Sequence, residues 1–244
     1  MKKLVSFSVV LLLRVCAAQV QQPAPSPPKG SEQEKRIEKK EQSRRMLGFV
    51  PQFSVTDRKD APALTAKGKF HLFYKTAFDP TEFAVTGLEA GIYQAENSFP
   101  AYGQGAAGYG KRFGVAFTDQ LSSNFFGTFC YPVLLKEDPR YFRLGHGSVK
   151  HRLGYALAQE LIAHKDSGGR TFAWSSTLAA LSSGALSNSY YPAENRGFGL
   201  TMSRAGVSLL YASLGGIGNE FWPDISRKLH HKRTRLIPGE QTQK

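Results

Sequence analysis

One short stretch of the sequence, AYGQGAAGYGKRFG, contains two overlapping patterns of the kind that bind phosphate. Gly103, Gly105 and Gly108 match the G-x-G-x-x-G of dinucleotide-binding loops. Gly105, Gly110 and Lys111 match most of the G-x-x-x-x-G-K loop that holds nucleoside triphosphates. Either loop would surround a phosphate with backbone N–H groups at the start of a helix.

The residues around these glycines do not support nucleotide binding. The preceding IYQAENSFPAY contains charge and a proline, whereas a dinucleotide loop follows a buried strand. Asp119 is too near to meet a ribose, and Arg112 replaces the Ser or Thr that would bind magnesium. We predict that the protein binds no nucleotide and no cofactor. The glycines would instead start a helix and admit a close neighbour, with Lys111 and Arg112 on the exposed or headgroup-facing side.

Paired acids and histidines are the next candidates for chemistry. Glu89 and Glu96 are seven residues apart and share a helical face, where two carboxylates could act as acid and base. His146 and His151 are five apart, a spacing that does not put two metal ligands on one helical face, so we predict no metal site. Ser148 between them is predicted to cap a helix. A hydrolase that uses Glu89 and Glu96, or the His146 region, remains one possible function.

Basic residues offer candidate sites for anions or lipid headgroups. In KEDPRYFRLG, Arg140 and Arg143 stand beside two aromatic rings, and they could bind an anion or hold the turn through charge pairs with Glu137 and Asp138. The structural role is favoured because one loop provides no convergent site. The remaining candidates lie in the basic C-terminal segment: Arg227, Lys228, Lys232, Arg233 and Arg235.

The formal net charge of +13 favours a polyanionic partner. For an exported protein this is an anionic lipid or another envelope polyanion, and we predict no binding of nucleic acid. The alternative is that the basic C-terminal segment is a solvated tail. No feature of the sequence indicates a protein partner.

The N-terminus has the layout of a cleaved secretory signal. Residues 1–18 contain two lysines, a short apolar run and small residues before Gln19, and the run is too short to span a bilayer. Residues 19–62 are proline-rich and then highly charged, and are predicted to be a linker. Cleavage would remove Cys16, and the apolar surroundings of Cys130 predict a buried, unreactive thiol.

Residues 63–225 are predicted to form one mainly α-helical domain, and residues 226–244 a basic tail outside it. Residues 149–161 have helical spacing, the Asp-Ser-Gly-Gly of 166–169 supplies a stop, and Pro192 opens a further helix. Large apolar residues recur every four positions at Phe113, Phe117, Leu121, Phe125 and Phe129.

Four segments carry small residues at every fourth position, which predicts helices that pack closely on these faces. We therefore expect a compact bundle of small-residue-rich helices lying against or partly in a membrane, with a soluble bundle as the alternative. The four sets are Gly87/Gly91/Ala95, Ala106/Gly110/Gly114, Ser176/Ala180/Gly184 and Ser208/Ala212/Gly216.

Several motifs in this domain together resemble a family of uncharacterised exported bacterial proteins. The resemblance implies that residues 63–225 are one unit, but it implies no activity and no catalytic or binding residue. The motifs are FDP at 78–80, GYGKRFG at 108–114, NFFG at 124–127, DPRYFR at 138–143, DSGGRTF at 166–172 and SNSYYP at 187–192.

These features predict an exported, membrane-associated envelope protein with a structural or interaction role, located in the periplasm or in a membrane of the cell envelope. A periplasmic hydrolase is the alternative.

Overall fold

A computed structural model describes residues 39, 41, 43–47, 50–58 and 61–235, with side chains described as far as Lys228. The predicted signal peptide, most of the predicted linker and residues 236–244 lie outside the described residues.

Most of the described chain is α-helical, as the sequence predicts. Helix α3 passes without a break through a π-helical turn at Phe125–Cys130 into α4. The helices are α1 (Ala66–Ala77), α2 (Pro80–Ala95), α3 (Gly105–Asn124), α4 (Tyr131–Leu135), α5 (Val149–Ala158), α6 (Trp174–Ser187) and α7 (Phe198–Arg235).

Side-chain caps determine where three of the helices begin. Thr65 accepts a hydrogen bond from the Gly68 N–H at α1, and Asp79 accepts one from the Thr81 N–H at α2. Ser148 caps α5 by accepting from the His151 N–H, as predicted. Each cap satisfies an N–H group that the helix itself leaves without a partner.

The main core lies where α1, the π-helical turn, α4 and α6 meet. Phe73, Phe126, Phe129 and Ala179 are among its buried members. The predicted four-residue ridge enters this core, but the π-helical turn inserts an extra residue into the helical repeat, so Phe126 is fully buried while Phe125 packs against the core and stays partly exposed. Cys130 is completely buried as predicted, but it is disulfide-bonded and is not a free thiol.

Short strands fix the loops against the helices. β1 (Arg45–Met46) pairs antiparallel with β2 (Val50–Pro51), and β3 (Val55–Thr56) pairs in parallel with β5 (Tyr141–Phe142). A third, three-stranded sheet has the order β4–β6–β7 and is antiparallel throughout. Its strands are β4 (Glu137–Asp138), β6 (Ile162–Lys165) and β7 (Arg170–Phe172).

These strands correct two predictions. Residues 50–58 are not linker, because Phe53 and Val55 are buried and β3 pairs with β5, so the domain begins well before residue 63. The glycines at 168 and 169 have positive φ angles and form the turn between β6 and β7, whereas α5 has already ended at Ala158. They turn a hairpin and do not stop a helix.

In two of the four predicted small-residue seams a glycine lies close to the backbone of another helix. A Cβ on Gly184 of α6 would lie 3.0 Å from the Thr201 carbonyl oxygen of α7, and one on Gly216 would lie 3.3 Å from the Ala156 carbonyl oxygen of α5. In the set on α2, a Cβ on Gly87 would lie 3.3 Å from the Tyr109 hydroxyl of α3, so the neighbour there is a side chain. At Gly110 and Gly114 no described atom lies within 4 Å of the Cβ position, so the close packing predicted for this face of α3 is wrong.

The glycine stretch of α3 packs against its own preceding loop. Gly108 faces the backbone of Gly103, whose carbonyl oxygen would lie 2.3 Å from a Cβ at position 108. The segment before the helix is a 3₁₀ turn at Pro100–Tyr102, not a strand. The prediction that a neighbour approaches these glycines is therefore confirmed at Gly108, but the neighbour is a loop and not a second helix.

The buried side chain of Arg112 makes hydrogen bonds to this loop. It is completely buried, so the prediction that it faces solvent or headgroups is wrong. Its guanidinium donates to the carbonyl oxygens of Ser98 (2.8 Å), Gly103 (2.6 Å) and Phe99 (3.3 Å), and to Oε1 of Gln94 (2.7 Å). An arginine in this position satisfies backbone oxygens that burial would otherwise leave without donors.

Helix α7 extends beyond the predicted domain boundary. It continues past Pro223 to Arg235, so the first part of the predicted tail is helical. Arg227 pairs with Asp224 one turn earlier, while Lys228 is exposed.

Candidate functional site

A cavity of about 280 Å³ lies between the three-stranded sheet and helices α5, α6 and α7. Its wall includes Gly127 and Thr128 from the π-helical turn, a type of helix irregularity often found at functional sites. Polar side chains reach it from five elements or their ends. They include Glu137 and Asp138 of β4, Glu160 after α5, His164 of β6, Ser175 of α6 and Asn219 of α7.

Two of these acids have partners within the protein. Glu137 accepts a hydrogen bond from the Ser175 N–H at 3.0 Å, and so places a carboxylate at the positive end of α6. Asp138 binds Arg140 through both carboxylate oxygens, at 2.9 and 2.6 Å. Arg140 also donates to the Pro62 carbonyl oxygen. These groups hold the sheet against the helices.

Glu160 differs from both, because its carboxylate has no hydrogen bond or ion pair with any described residue. The side chain is partly exposed, and its partial burial raises its pKa to about 7. The Ser175 hydroxyl is buried without a hydrogen-bond partner in the described structure. Buried polar groups normally find partners, so an unpaired hydroxyl beside an unpaired, partly buried carboxylate on one cavity wall indicates a place where a ligand would bind.

His164 lies on the same wall and is held by ring packing. The centroid of its imidazole is 4.0 Å from that of Phe142. Burial, together with the nearby charge of Arg170, lowers the pKa of His164, so the ring is mostly neutral at neutral pH. It therefore adds hydrogen-bonding capacity to the cavity without adding positive charge.

Arg143 belongs to a buried charge network and not to an open anion site. It donates to Asp224 at 2.9 Å and to the backbone oxygen of Glu220 at 2.8 Å, and it pairs with Asp57 at 3.3 Å. Arg152 donates to the Glu220 carboxylate at 2.7 Å. Arg140 therefore pairs with Asp138 as the charge-pair interpretation suggested, whereas Arg143 pairs with Asp57 and Asp224 and with neither Glu137 nor Asp138.

The other basic candidates separate into two groups. Lys111, Arg227 and Lys228 are exposed, so their charges are accessible to an anion. Residues 232, 233 and 235, the remaining basic candidates, lie in α7 beyond the described side chains.

The residues suggested for a hydrolase do not come together in the cavity. Glu89 accepts a hydrogen bond from Tyr93 in the next turn of α2, and Glu96 is exposed at the C-terminal end of that helix. His146 is exposed and contacts the Leu144 carbonyl oxygen through Nδ1, and His151 lies on the surface of α5. None of these four lines the cavity.

Sequence reasoning missed Glu160 and Ser175, neither of which belongs to a recognisable motif. A weak signal did exist for Glu160, which is the single charged residue in ALAQELIA. An acid within an apolar run becomes notable only when burial perturbs its pKa. For Ser175 we find no signal in the sequence.

Exposed apolar side chains are the other notable surface feature. They recur at helical spacing and so form what we call the apolar stripes, one on each of four helices. The stripes are Phe70/Tyr74/Phe78 on α1, Val85/Leu88/Ile92 on α2, Val149/Leu153/Leu157 on α5 and Val207/Leu210/Tyr211/Leu214 on α7. Ring contacts through Phe117 connect Phe78 of the α1 stripe with Phe83, an exposed residue of α2 outside its stripe.

Within the described part of the chain, no helix has both the length and the hydropathy needed to cross a membrane. The same residues include no group of three His, Cys, Asp or Glu side chains placed to hold a metal ion. Comparison with protein-family models, with curated proteins and with solved structures finds no match.

Proposed function

We propose that this protein is exported and associates with the surface of a membrane in the cell envelope, where it serves a structural or interaction role. The observation that supports this proposal is the exposure of the apolar stripes. Scattered apolar residues are normal on protein surfaces, whereas residues three and four apart on a helix adjoin one another and make a continuous apolar face.

The stripe on α7 is the clearest case. Leu210, Tyr211 and Leu214 are 59%, 69% and 53% exposed. No charged residue occurs between Arg204 and Glu220, so this part of the helix has an uninterrupted uncharged surface. Transferring such side chains from water to the apolar region of a bilayer releases roughly 25 cal/mol for each Å² that is buried.

The excess of exposed positive charge favours an anionic bilayer as the partner. Three described acids are exposed, namely Asp57, Glu96 and Glu194. Exposed basic residues outnumber them: Lys39, Arg45, Lys67, Lys111, Lys136, Lys150, Lys165, Arg170, Arg227 and Lys228. Basic residues near an anionic lipid surface each contribute about 1 kcal/mol of attraction at low ionic strength.

Vesicle flotation tests the proposal. The mature chain is mixed with phosphatidylglycerol-containing vesicles or with pure phosphatidylcholine vesicles, at low and at high salt. We expect binding that is stronger to the anionic vesicles and weaker in salt, because screening reduces the electrostatic part and leaves the apolar part.

A pair of double variants separates the apolar stripe of α7 from the rest of the surface. Replacing Leu210 and Leu214 with Gln should reduce the partition coefficient by roughly 30- to 150-fold, since two half-exposed leucines lose about 1–1.5 kcal/mol each. The matched control changes Ala106 and Ala107, two exposed positions of α3 outside the stripes, to Gln. Equal binding by the two double variants, or no binding of the parent to anionic vesicles, would contradict the proposal.

A further inference from the structure

The cavity contains two polar groups that the protein leaves without partners. Ser175 is 5% exposed and its Oγ makes no hydrogen bond within the described structure. Glu160 lines the same cavity and is partly exposed, and its carboxylate has neither a hydrogen bond nor an ion pair with a described residue. Because a buried hydroxyl and a partly buried carboxylate are both unfavourable without partners, the cavity is suited to a ligand that supplies hydrogen-bond donors.

The charges around Glu160 indicate the sign of that ligand. Asp138 forms an ion pair with Arg140, and Glu137 accepts a hydrogen bond from the Ser175 N–H at the N-terminus of α6. His164 carries little positive charge at neutral pH. The carboxylate of Glu160 is therefore the charge on this wall that lacks a complement.

We propose that the cavity binds a small organic molecule through a protonated amine, with the Glu160 carboxylate as its counter-ion and the Ser175 hydroxyl as a second hydrogen-bond acceptor. An ammonium group carries three donors and one positive charge, which matches an acid beside a hydroxyl. This inference does not depend on association with a membrane.

The shape and the remaining lining favour an organic ligand over a bare metal ion. About 280 Å³ accommodates a molecule of several non-hydrogen atoms. The described residues provide no group of three metal-ligating side chains here. The wall is more polar than apolar, but one part of it is aliphatic and suits a short aliphatic chain, with contributions from Ala156, Ile162, Ala163, Ala173 and Ala212.

Binding should depend on pH in a direction that the geometry dictates. Burial raises the pKa of Glu160 to about 7, so the carboxyl group is mainly protonated at about pH 6 and mainly ionised at about pH 8. An ammonium ligand binds the ionised form, so its affinity should rise by about tenfold over this interval. The other titratable or charged groups on the wall are Glu137, Asp138, Arg140, Tyr141 and His164.

Isothermal titration calorimetry with putrescine tests the proposal on the full chain. We expect saturable binding to one site, about tenfold tighter at pH 8 than at pH 6. Butanediol has the same carbon chain without charge and should bind at least tenfold more weakly. If butanediol binds as well as putrescine, or if the parent does not bind putrescine at pH 8, the proposal is overturned.

The variant Glu160→Gln keeps the size of the side chain and removes its charge. It should lose at least tenfold in putrescine affinity and also lose the pH dependence. Glu96→Gln, at an exposed acid of α2, should bind as the parent does. Thermal melting shows whether each variant is folded, and the pH dependence of the parent tests the same point without any variant. Unchanged binding by folded Glu160→Gln would show that this carboxylate is not the counter-ion, whatever the outcome with vesicles.

Discussion

Two alanine substitutions in one helix test how the glycine stretch of α3 packs. At Gly108 a new Cβ would lie 2.3 Å from the carbonyl oxygen of Gly103 and 2.7 Å from its carbonyl carbon. At Gly110, two residues later, nothing lies within 4 Å. The contact at Gly108 is with backbone, so rotation of a side chain cannot relieve it.

The contacts at the two positions determine the change in the free energy of unfolding that we expect for each variant. Alanine in place of glycine within a helix gains about 1 kcal/mol, and this gain should appear nearly in full at Gly110. At Gly108 the same gain opposes about 1–3 kcal/mol for overpacking. Displacing the Gly103 oxygen also breaks its 2.6 Å hydrogen bond from Arg112, which costs about 1.5–3 kcal/mol because the donor is charged. We expect Gly108→Ala to be destabilised by roughly 2–4 kcal/mol, the balance of these effects.

Urea unfolding followed by circular dichroism measures both free energies, and thermal melting supplies a second measurement. For a chain of this size each kcal/mol shifts Tm by about 2–4 °C, so Gly108→Ala should melt well below the parent and Gly110→Ala at or above it. Gly108→Ala and Arg112→Met should also be less than additive, since both release the same loop. Equal stability of the two alanine variants would refute the close contact between Gly108 and Gly103.

Three further predictions concern buried charge. Arg112→Met should lower the free energy of unfolding in urea by about 2–4 kcal/mol, because this arginine is buried. Lys111→Met, at the adjacent exposed position, should stay within about 0.5 kcal/mol of the parent. Similar values for the two variants would contradict the buried position of the arginine. The hydrogen bond from Arg45 holds the pKa of Asp79 at about 2, below its ordinary value. The ionised carboxylate therefore contributes its full stabilisation of the fold above about pH 4, and this contribution is lost as the pH falls towards 2. The stability difference between the parent and Asp79→Asn should therefore close over that interval, and a difference that persists at pH 2 would argue against the ion pair. Glu220→Gln should cost about 3–5 kcal/mol by the same unfolding assay, because it removes the buried carboxylate that pairs with Arg152 and accepts hydrogen bonds from the Leu144 and Gly145 N–H groups. The exposed Glu194→Gln should be neutral, and a stable Glu220→Gln would mean that this carboxylate is not essential to the fold.

Local features of the sequence predicted the helices well. Periodic apolar residues located α3 and α5, and the Ser148 cap needed only a serine placed before a helical pattern. These signals are local because a helix forms its hydrogen bonds within about four residues. The absence of a strand before the glycines was likewise predicted from composition, and the segment there is a 3₁₀ turn.

The partners of polar side chains were much harder to predict. Arg112 looks like a surface residue beside Lys111, yet four groups from residues 94–103 bury it completely. Gly110 and Gly114 have the spacing of a packing seam, but no helix lies over them. The sequence shows which residues lie on the same face of a helix, but it does not show which element packs against that face.

The sequence alone therefore determined the helical class of the protein, the positions of α3 and α5 and its excess of positive charge. The predicted helix start at Pro192 is wrong, because a 3₁₀ turn follows this proline and α7 begins at Phe198. Only the tertiary structure brought Glu160, His164 and Ser175 to one cavity, since these residues come from the end of a helix, a strand and the start of another helix. The pKa of Glu160 likewise depends on burial by distant segments. Contacts between residues far apart in the chain decide such features, and no local periodicity encodes them.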